Sequence, residues 1–540
     1  MRCSYRYLTL VDSDHYTFLP PVLLQGWRTG LSPSHNSVLV SCRRPRGWVG
    51  QLVLHLQAGA LGSLLRWLPQ AGLYSNILPY LAPRPANSST RGERTKYSVV
   101  VLVIDSLSQM NLVRSLPRTK AALEALGGLV FAGHHKVGHN SWPNVMALLG
   151  GEERPVWPLD LARESCYYVE EEHRPLLLQE FGGHGWTSLY LEDFQLYGNF
   201  AREGKMGFRT PPAHHYYRAA YWALTREKGL GGGGFRNRLV GKADNYACHQ
   251  ELPAHVHQLR ILEDLVTSQP GPVFAYMHLN EYTHNDLVMA AQYDSPLTSL
   301  LHRLAAKNAL NDTFFILVAD HGFQRGDNPF TLTEQGRTEN NMPALAVVPP
   351  ASLAVERPGM VAALRHNSGG LTSHLDVYAT LREVLAMGAG DQLEERKLVG
   401  RSLLHPVPPR SCQEAGVPPQ YCSCSSGQAK LQTSTLAPLA RALLQDLDVF
   451  LAPTGLCTPL VLKEVKEASV HRQKQEQVVQ LRVTVVPASA QFEVVVTVGQ
   501  TGGVSSLVGV QVTRLDWYSA TSSCLPGALP HLRPYCVCES

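Results

Sequence analysis

Residues 98–105 read SVVVLVID, an unbroken apolar run rich in β-branched side chains that ends in an aspartate. Such a run suits a strand buried on both faces of a parallel sheet, where each face meets an apolar layer. Outward from it the pattern recurs. WTSLYLED (186–193), PVFAYMHL (272–279), DTFFILVAD (312–320) and PALAVVP (343–349) are further buried-strand candidates. Segments of helical spacing lie near or between them: SLPRTKAALEAL (115–126), HVHQLRILEDLVTS (255–268), SPLTSLLHRLAAKNAL (295–310) and DVYATLREVLAM (376–387). This alternation predicts an α/β fold with a doubly wound, mostly parallel sheet over residues 96–405. In such sheets ligands bind beyond the carboxyl ends of the strands.

The flanks read differently. Residues 1–95 give short apolar runs broken by Pro and Gly, closing in the loop-like APRPANSSTRGER (82–94), and are expected to pack on the core as an N-terminal extension. Within them, residues 58–82 read as core helix and turn; Arg66 and two prolines break any span of membrane length. Residues 406–540 carry one helical segment, LARALLQDLDVFLA (439–452), and then strict alternation: Leu481/Val483/Val485, Phe492/Val494/Val496/Val498 and Val508/Val510/Val512. Period two with polar partners predicts a small antiparallel sheet with one wet face. Seven of the eleven cysteines fall here: Cys412, Cys422, Cys424, Cys457, Cys524, Cys536 and Cys538. Their spacing is not that of a zinc ribbon, so disulfides in an oxidising compartment are expected.

With 44% hydrophobic and 17% charged residues the chain is globular, and a net charge of +4 without a basic run excludes a nucleic-acid partner. Sequons at Asn87 and Asn311 agree with an extracellular or secretory-lumen setting. The first residues lack a signal peptide's apolar stretch, so that setting implies a missing N-terminal segment, which would include any membrane anchor. GLGGGGF (229–235) neither follows a strand nor opens a helix and is read as a loop. Oligomeric state is not legible.

Chemistry gathers at the strand ends. One strand ends in Asp105, another in Asp320 followed by His321, and a third leads into NEYTHND, with Glu281, His284 and Asp286. Taken singly, an aspartate after an apolar run is most often a turn former or helix cap. Together, carboxylates and imidazoles delivered to one sheet edge form a metal-ligand set suited to zinc, or to manganese where oxygen dominates. HNSWPNVMALLGG (139–151) places Ser141 at the start of a predicted helix, where it can face the same edge.

These motifs resemble those of the alkaline-phosphatase superfamily of metallohydrolases, and most closely its largely animal, sulfatase-like branch. The resemblance rests on D-S-x-S at Asp105–Ser108, on Lys136–Asn144 (KVGHNSWPN), on Thr283–Asp286, on Asp320–Gly322 (DHG), and on the YCxC motifs at Tyr421–Cys424 and Tyr535–Cys538. It implies that Asp105, Asp320 and His321 hold one divalent metal, zinc with Mn or Ca as alternatives, with Ser141 bound to it as nucleophile. It also implies that His284, with His374, holds a second metal. Asn280 stands where that second site has an Asp, with Glu281 or Asp286 as replacements. Lys136, His139 and Asn140 would contact substrate.

The activity implied is hydrolysis or transfer of an anionic ester of a small molecule, lipid headgroup or glycan, through a phosphorylated Ser141. A sulfatase is the rival reading, but Val145 stands where C/S-x-P-x-R requires Arg for formylglycine formation. A third reading is a non-catalytic ectodomain that keeps the fold. Specificity is expected from loops at 192–218 and 322–341.

Overall fold

The computed structural model describes residues 2–11, 16–24, 31, 35–43, 74–81, 97–153, 167–193, 198–200, 206–226, 248–249, 252–324, 328–390, 393, 396–423, 428–472, 476–501, 504–516, 521–525, 532–533 and 535–538. The glycine-rich loop at 229–235, the linker 82–94, Asn87 and Cys424 lie outside them. The fold is α/β with a mixed, mostly parallel sheet, followed by an antiparallel sheet bearing disulfides. The chain divides into two units, neither of them one continuous stretch: residues 1–92, 168–172 and 178–281 form one, and 93–167, 173–177 and 282–540 the other.

In the first unit, Thr187–Glu192 runs parallel to both Val273–Leu279 and His215–Tyr216. Every residue of Val273–Leu279 is buried, as its apolar run predicts. The N-terminal segments pair antiparallel: Arg2–Leu10 pairs with Ser37–Arg43, which pairs with Tyr74–Pro79. Tyr74–Pro79 is therefore a strand, where residues 58–82 were expected to form helix and turn. Residues 58–73 lie outside the described residues.

The second unit contains the decisive stretch. Ser98–Ile104 lies parallel to Thr313–Val318 in full register, Val99 opposite Phe314 and Val103 opposite Val318. Val99 through Ile104 are wholly buried. Leu345–Val348 joins antiparallel to Thr313–Val318, not parallel as the alternating pattern suggests, and Leu129–Val130 pairs antiparallel beyond it. An apolar run reports burial on two faces but carries no information about strand direction. The expected loop at 322–341 contains a helix, Glu334–Asn341, capped by Thr333, whose hydroxyl accepts from the Gly336 amide. Its low apolar content conceals the helix.

Beyond the core, Val461–Arg472, Glu476–Val486, Gln491–Thr501 and Val504–Arg514 form a continuous antiparallel meander. Leu481, Val483, Val485, Phe492, Val494 and Val496 pack in one cluster with Leu443, Leu444 and Leu447 of the helix Ala437–Leu451. This is the one-sided sheet that the alternation predicts. Cys457–Cys536 and Cys524–Cys538 staple the end of this region, and Cys412–Cys422 closes a short loop before it. Such bonds persist in an oxidising compartment. No described helix is long and apolar enough to cross a membrane.

One buried ion pair fixes how the post-core segment returns. Arg410 donates to the Asp376 carboxylate, and both side chains are almost fully buried. Asp376 also accepts from the amides of Ser373 and Arg401. Removing Arg410 leaves a buried carboxylate without its cation. Arg410→Ala is therefore expected to lower the unfolding free energy by about 3–5 kcal/mol in urea titration, whereas the exposed pair Lys120–Glu124 should contribute less than about 1 kcal/mol.

Candidate metal centre

The strand Ser98–Ile104 delivers Asp105 to its carboxyl end, and Thr313–Val318 delivers Asp320 and His321 to theirs. Because the two strands run parallel and in register, both ends open on the same edge. Asp105 is 1% exposed and Asp320 is 0% exposed, with His321 buried beside them. One donor atom from each of the three lies within 4.8 Å of the others. His321 Nε2 stands 3.5 Å from Asp320 Oδ2 and 3.8 Å from Asp105 Oδ1.

The ring is oriented for ligation. His321 Nδ1 donates to the Gly322 carbonyl at 2.7 Å, which leaves the Nε2 lone pair facing the carboxylates. Burial lowers the His321 pKa against the raising effect of Asp320, so the imidazole is neutral as a ligand must be. Gly322 has its own reason: a Cβ there would fall 2.0 Å from the Glu339 carbonyl oxygen. The donor set, two buried carboxylates and a neutral imidazole, fits a divalent cation such as zinc or manganese.

Ser106 completes the floor. It adopts a positive φ of 59°, rare for a residue with a side chain. This turn aims its amide at Asp320 Oδ1 (3.0 Å) and its hydroxyl at Asp105 Oδ1 (2.8 Å). Ser108 caps the helix Gln109–Ser115 and donates to Glu339 Oε2 at 2.7 Å. The motif D-S-x-S is thus one candidate ligand followed by two serines that hold its loop. The sequence displayed the motif but not this division of labour.

Ser141 opens the helix Ser141–Gly150, and its Oγ lies 3.4 Å from His321 Nε2. The preceding loop is built by two residues that the sequence reading left without a role. Asn144 accepts from the amides of Val137 and Gly138 and donates to the carbonyls of Gly138 and Asn140, at 2.8–3.0 Å. Gly138 passes so close to Pro143 that a Cβ would sit 2.3 Å from the proline ring. The pattern G-x-N-S-x-P-N is therefore a steric and hydrogen-bonded jig for Ser141.

The other expected residues are distributed as follows. His139 is flanked by Lys136 and His321, and burial brings its pKa to about 3. Asn140 occupies the N-cap position without a side-chain cap bond. Lys136 is 0% exposed; its Nζ donates to Asn340 Oδ1 (2.9 Å) and lies 3.4 Å from the His139 carbonyl. Burial lowers its pKa to about 7. Lys136 is thus held behind the loop, where Glu493 and Asp320 favour its charged form against burial. His374 is buried, and its Nε2 donates to the Ala319 carbonyl at 2.9 Å, one residue before Asp320. His284 is exposed, faces Asn285 Oδ1 at 2.8 Å, and still influences His321 electrostatically. Asp286 accepts from the amides of Val288 and Met289. Glu281 and Asn280 belong to the first unit, where their amides donate to Asp193. Among the described residues, the structure gathers Asp105, Asp320 and His321 into one ligand cluster; His284 and His374 are not part of it.

Comparison with known proteins adds a family. The profile of a family described as "Protein of unknown function (DUF229)" matches residues 70–466. No curated protein matches. Among solved structures, a protein in the alkaline phosphatase superfamily from Vibrio parahaemolyticus is similar at 13% identity and a TM-score of 0.37, over 77% of this chain and 83% of that one. A phosphonate monoester hydrolase from Silicibacter pomeroyi gives 13% and 0.39, over 73% and 89%. The lipoteichoic acid synthase from Listeria monocytogenes gives 12% and 0.35, over 59% and 78%. At these values the functional reading rests on the geometry of the site.

That geometry can be checked directly. Purified protein incubated with Zn²⁺ or Mn²⁺ and desalted should retain metal and gain thermal stability, and Asp320→Asn should retain at least tenfold less under the same conditions, the order expected when a first ligand is neutralised. Equal retention by wild type and variant would remove the assignment.

Proposed function

We propose that this chain, which belongs to the DUF229 family, is a metal-dependent hydrolase or transferase of phosphate esters that works through a covalent phosphoryl ester on Ser141. The observation that carries the reading is the placement of Ser141 Oγ at 3.4 Å from His321 Nε2, beside the buried pair Asp105 and Asp320. A divalent cation held by Asp105, Asp320 and His321 would lower the pKa of the serine hydroxyl and neutralise charge on the reacting phosphoryl group.

The chain's own residues account for the rest. Ser141 is the first residue of a ten-residue helix with no acidic side chain in its first turn. The positive end of that helix faces the anion which Ser141 would receive. His139, neutral at physiological pH, can donate a hydrogen bond to a phosphoryl oxygen without competing for the proton. Lys136, in its protonated form, supplies a positive field to the same loop. In the transfer, the bond from Ser141 Oγ to phosphorus forms as the bond from phosphorus to the leaving oxygen breaks. The serine proton ends on the leaving alcohol. Water or an acceptor alcohol then attacks the phosphoserine, and Ser141 recovers its proton. The substrate class is an anionic ester of a small molecule, a lipid headgroup or a glycan, and the disulfides favour an extracellular or secretory-lumen setting.

The sulfatase reading needs Ser141 converted to formylglycine. Val145, at the position of the required Arg, is wholly buried against the helix core, which favours an unmodified serine.

The test is to incubate the metal-loaded protein with aryl phosphate monoesters and diesters, quench in acid, and map the peptide that carries residue 141. A gain of about 80 Da on Ser141 from a monoester, or that gain plus the retained ester group from a diester, absent from Ser141→Ala, is expected for a phosphoryl adduct. A two-hydrogen loss in the untreated peptide would mark formylglycine and the sulfatase. Retained metal with neither adduct nor turnover would leave the binding-protein reading.

A further inference from the structure

The motif Tyr421–Cys424 has no part in the chemistry above, yet its tyrosine touches the site's buried cation. Lys136 Nζ lies 4.7 Å from the centre of the Tyr421 ring, within cation–π range. The same ammonium donates to Asn340 Oδ1 and lies 3.4 Å from the His139 carbonyl oxygen. Tyr421 is itself held in the loop closed by Cys412–Cys422.

That loop is anchored on every side to the parts that place Ser141. Ala415 and Val417 are buried against Val137 of the nucleophile loop, Ala147 of its helix and Leu375. The Ser373 hydroxyl donates to the Ala415 carbonyl at 2.8 Å. Asn341 Nδ2 donates to the Gln420 carbonyl at 3.3 Å, and the Asn341 carbonyl accepts from the Lys136 amide at 3.1 Å. Just past the disulfide, the Ser423 amide donates to His135 Nε2 at 3.1 Å. Gly416 takes a positive φ of 69° where a Cβ would strike the Leu375 side chain at 2.4 Å, so the loop follows its support closely.

We propose that Tyr421, held by the Cys412–Cys422 loop, is a positioning residue that seats the Lys136 ammonium and thereby holds the Lys136–Ser141 segment in register with the metal ligands. An isolated buried ammonium is costly, and an aromatic face that has already been desolvated is one of the few neutral groups that offsets the cost. Without the ring, the ammonium turns toward water and draws the His139 carbonyl with it. The two ends of the matched pattern, KVGHNSWPN and YCxC, are therefore halves of one device, although they lie far apart in the sequence.

This inference rests on the proposed role of Ser141 for its consequence but not for its test. Full-length wild type, Tyr421→Phe, Tyr421→Leu and the double variant Cys412→Ser/Cys422→Ser would be metal-loaded. Each would be treated briefly with an amine-acylating reagent, and acylation of Lys136 read by peptide mass spectrometry. An unchanged far-UV circular dichroism spectrum and cooperative thermal unfolding serve as the check on folding. Wild type and Tyr421→Phe should protect Lys136 equally, because phenylalanine keeps the face. Tyr421→Leu and the double serine variant should acylate it roughly tenfold or more faster, the range of a desolvated cation–π contact. Where Ser141 labels, its rate should fall in Tyr421→Leu through the labelling step, with little change in half-saturating substrate, and Phe should restore it. Protection of Lys136 in Tyr421→Leu equal to wild type, or exposure in Tyr421→Phe equal to Leu, would overturn the proposal. Absence of Ser141 labelling in wild type, with Lys136 protection behaving as described, would strike only the catalytic reading.

Discussion

Two carboxylates buried side by side are an electrostatic demand that an α/β core does not meet by itself. Asp105 and Asp320 lie at the ends of neighbouring parallel strands, closed off from water, with a neutral imidazole between them and Ser141. Burying one uncompensated charge costs many kcal/mol, and two like charges cost more. The fold supplies partial relief: the amides of Ser106 and His321 both donate to Asp320 Oδ1, and the Ser106 hydroxyl donates to Asp105. These neutral dipoles orient the carboxylates without cancelling their charge. Lys136 interacts electrostatically with Asp320 from behind the loop, and a divalent cation held between the carboxylates and His321 would add to that balance; Ser106, at a positive φ, supports the same turn.

The same demand explains the second layer. Glu339 sits behind the ligand loop and receives Arg114 and Ser108, so its charge is spent on structure and not added to the centre. The side-chain bonds to Glu339 hold its pKa below the ordinary carboxylate range against burial. Gly322 passes against the Glu339 carbonyl where no side chain fits, and its amide donates to Asn340, whose side chain in turn accepts from Lys136. Ligand strand, supporting helix and nucleophile loop are therefore linked through residues 339–341. Displacement of any one reaches the others within a few covalent bonds.

How much of this could be read beforehand follows from what each signal encodes. The apolar runs before Asp105 and Asp320 announced two buried strands, and strand geometry alone brings their ends to one edge; Ser141 followed from a helix start. Those residues were legible because the signal is periodic and local. The direction of Leu345–Val348 was not, since burial on both faces looks the same either way round. The helix Glu334–Asn341 was hidden by its polar composition, although Thr333 at its cap and Glu334 after it were on view. Lys136 was expected to point at substrate because it is basic and near Ser141; its orientation is set by Asn340 and Tyr421, which no window around residue 136 contains. For His374, strand register decided the outcome: Leu371–Ser373 pairs with Gly133–His135, so the following imidazole meets the Ala319 carbonyl.

The position of His374 bears on how many cations the centre is built for. A histidine that donates to the Ala319 carbonyl fixes the residue before Asp320, and its pKa of about 4 keeps it a neutral donor and not a competing charge. Through Nε2 it thus supports the strand end that carries two of the three clustered side chains. His284, the other residue expected at a second ion, is exposed and has no carboxylate joined with it in a ligand cluster among the described residues. Among the described residues, the geometry thus presents one buried cluster able to hold a cation, Asp105, Asp320 and His321. If the chain acts on an anionic ester as proposed, the helix N-terminus at Ser141 and the neutral His139 are groups that could meet the ester's charge without a ligand shell.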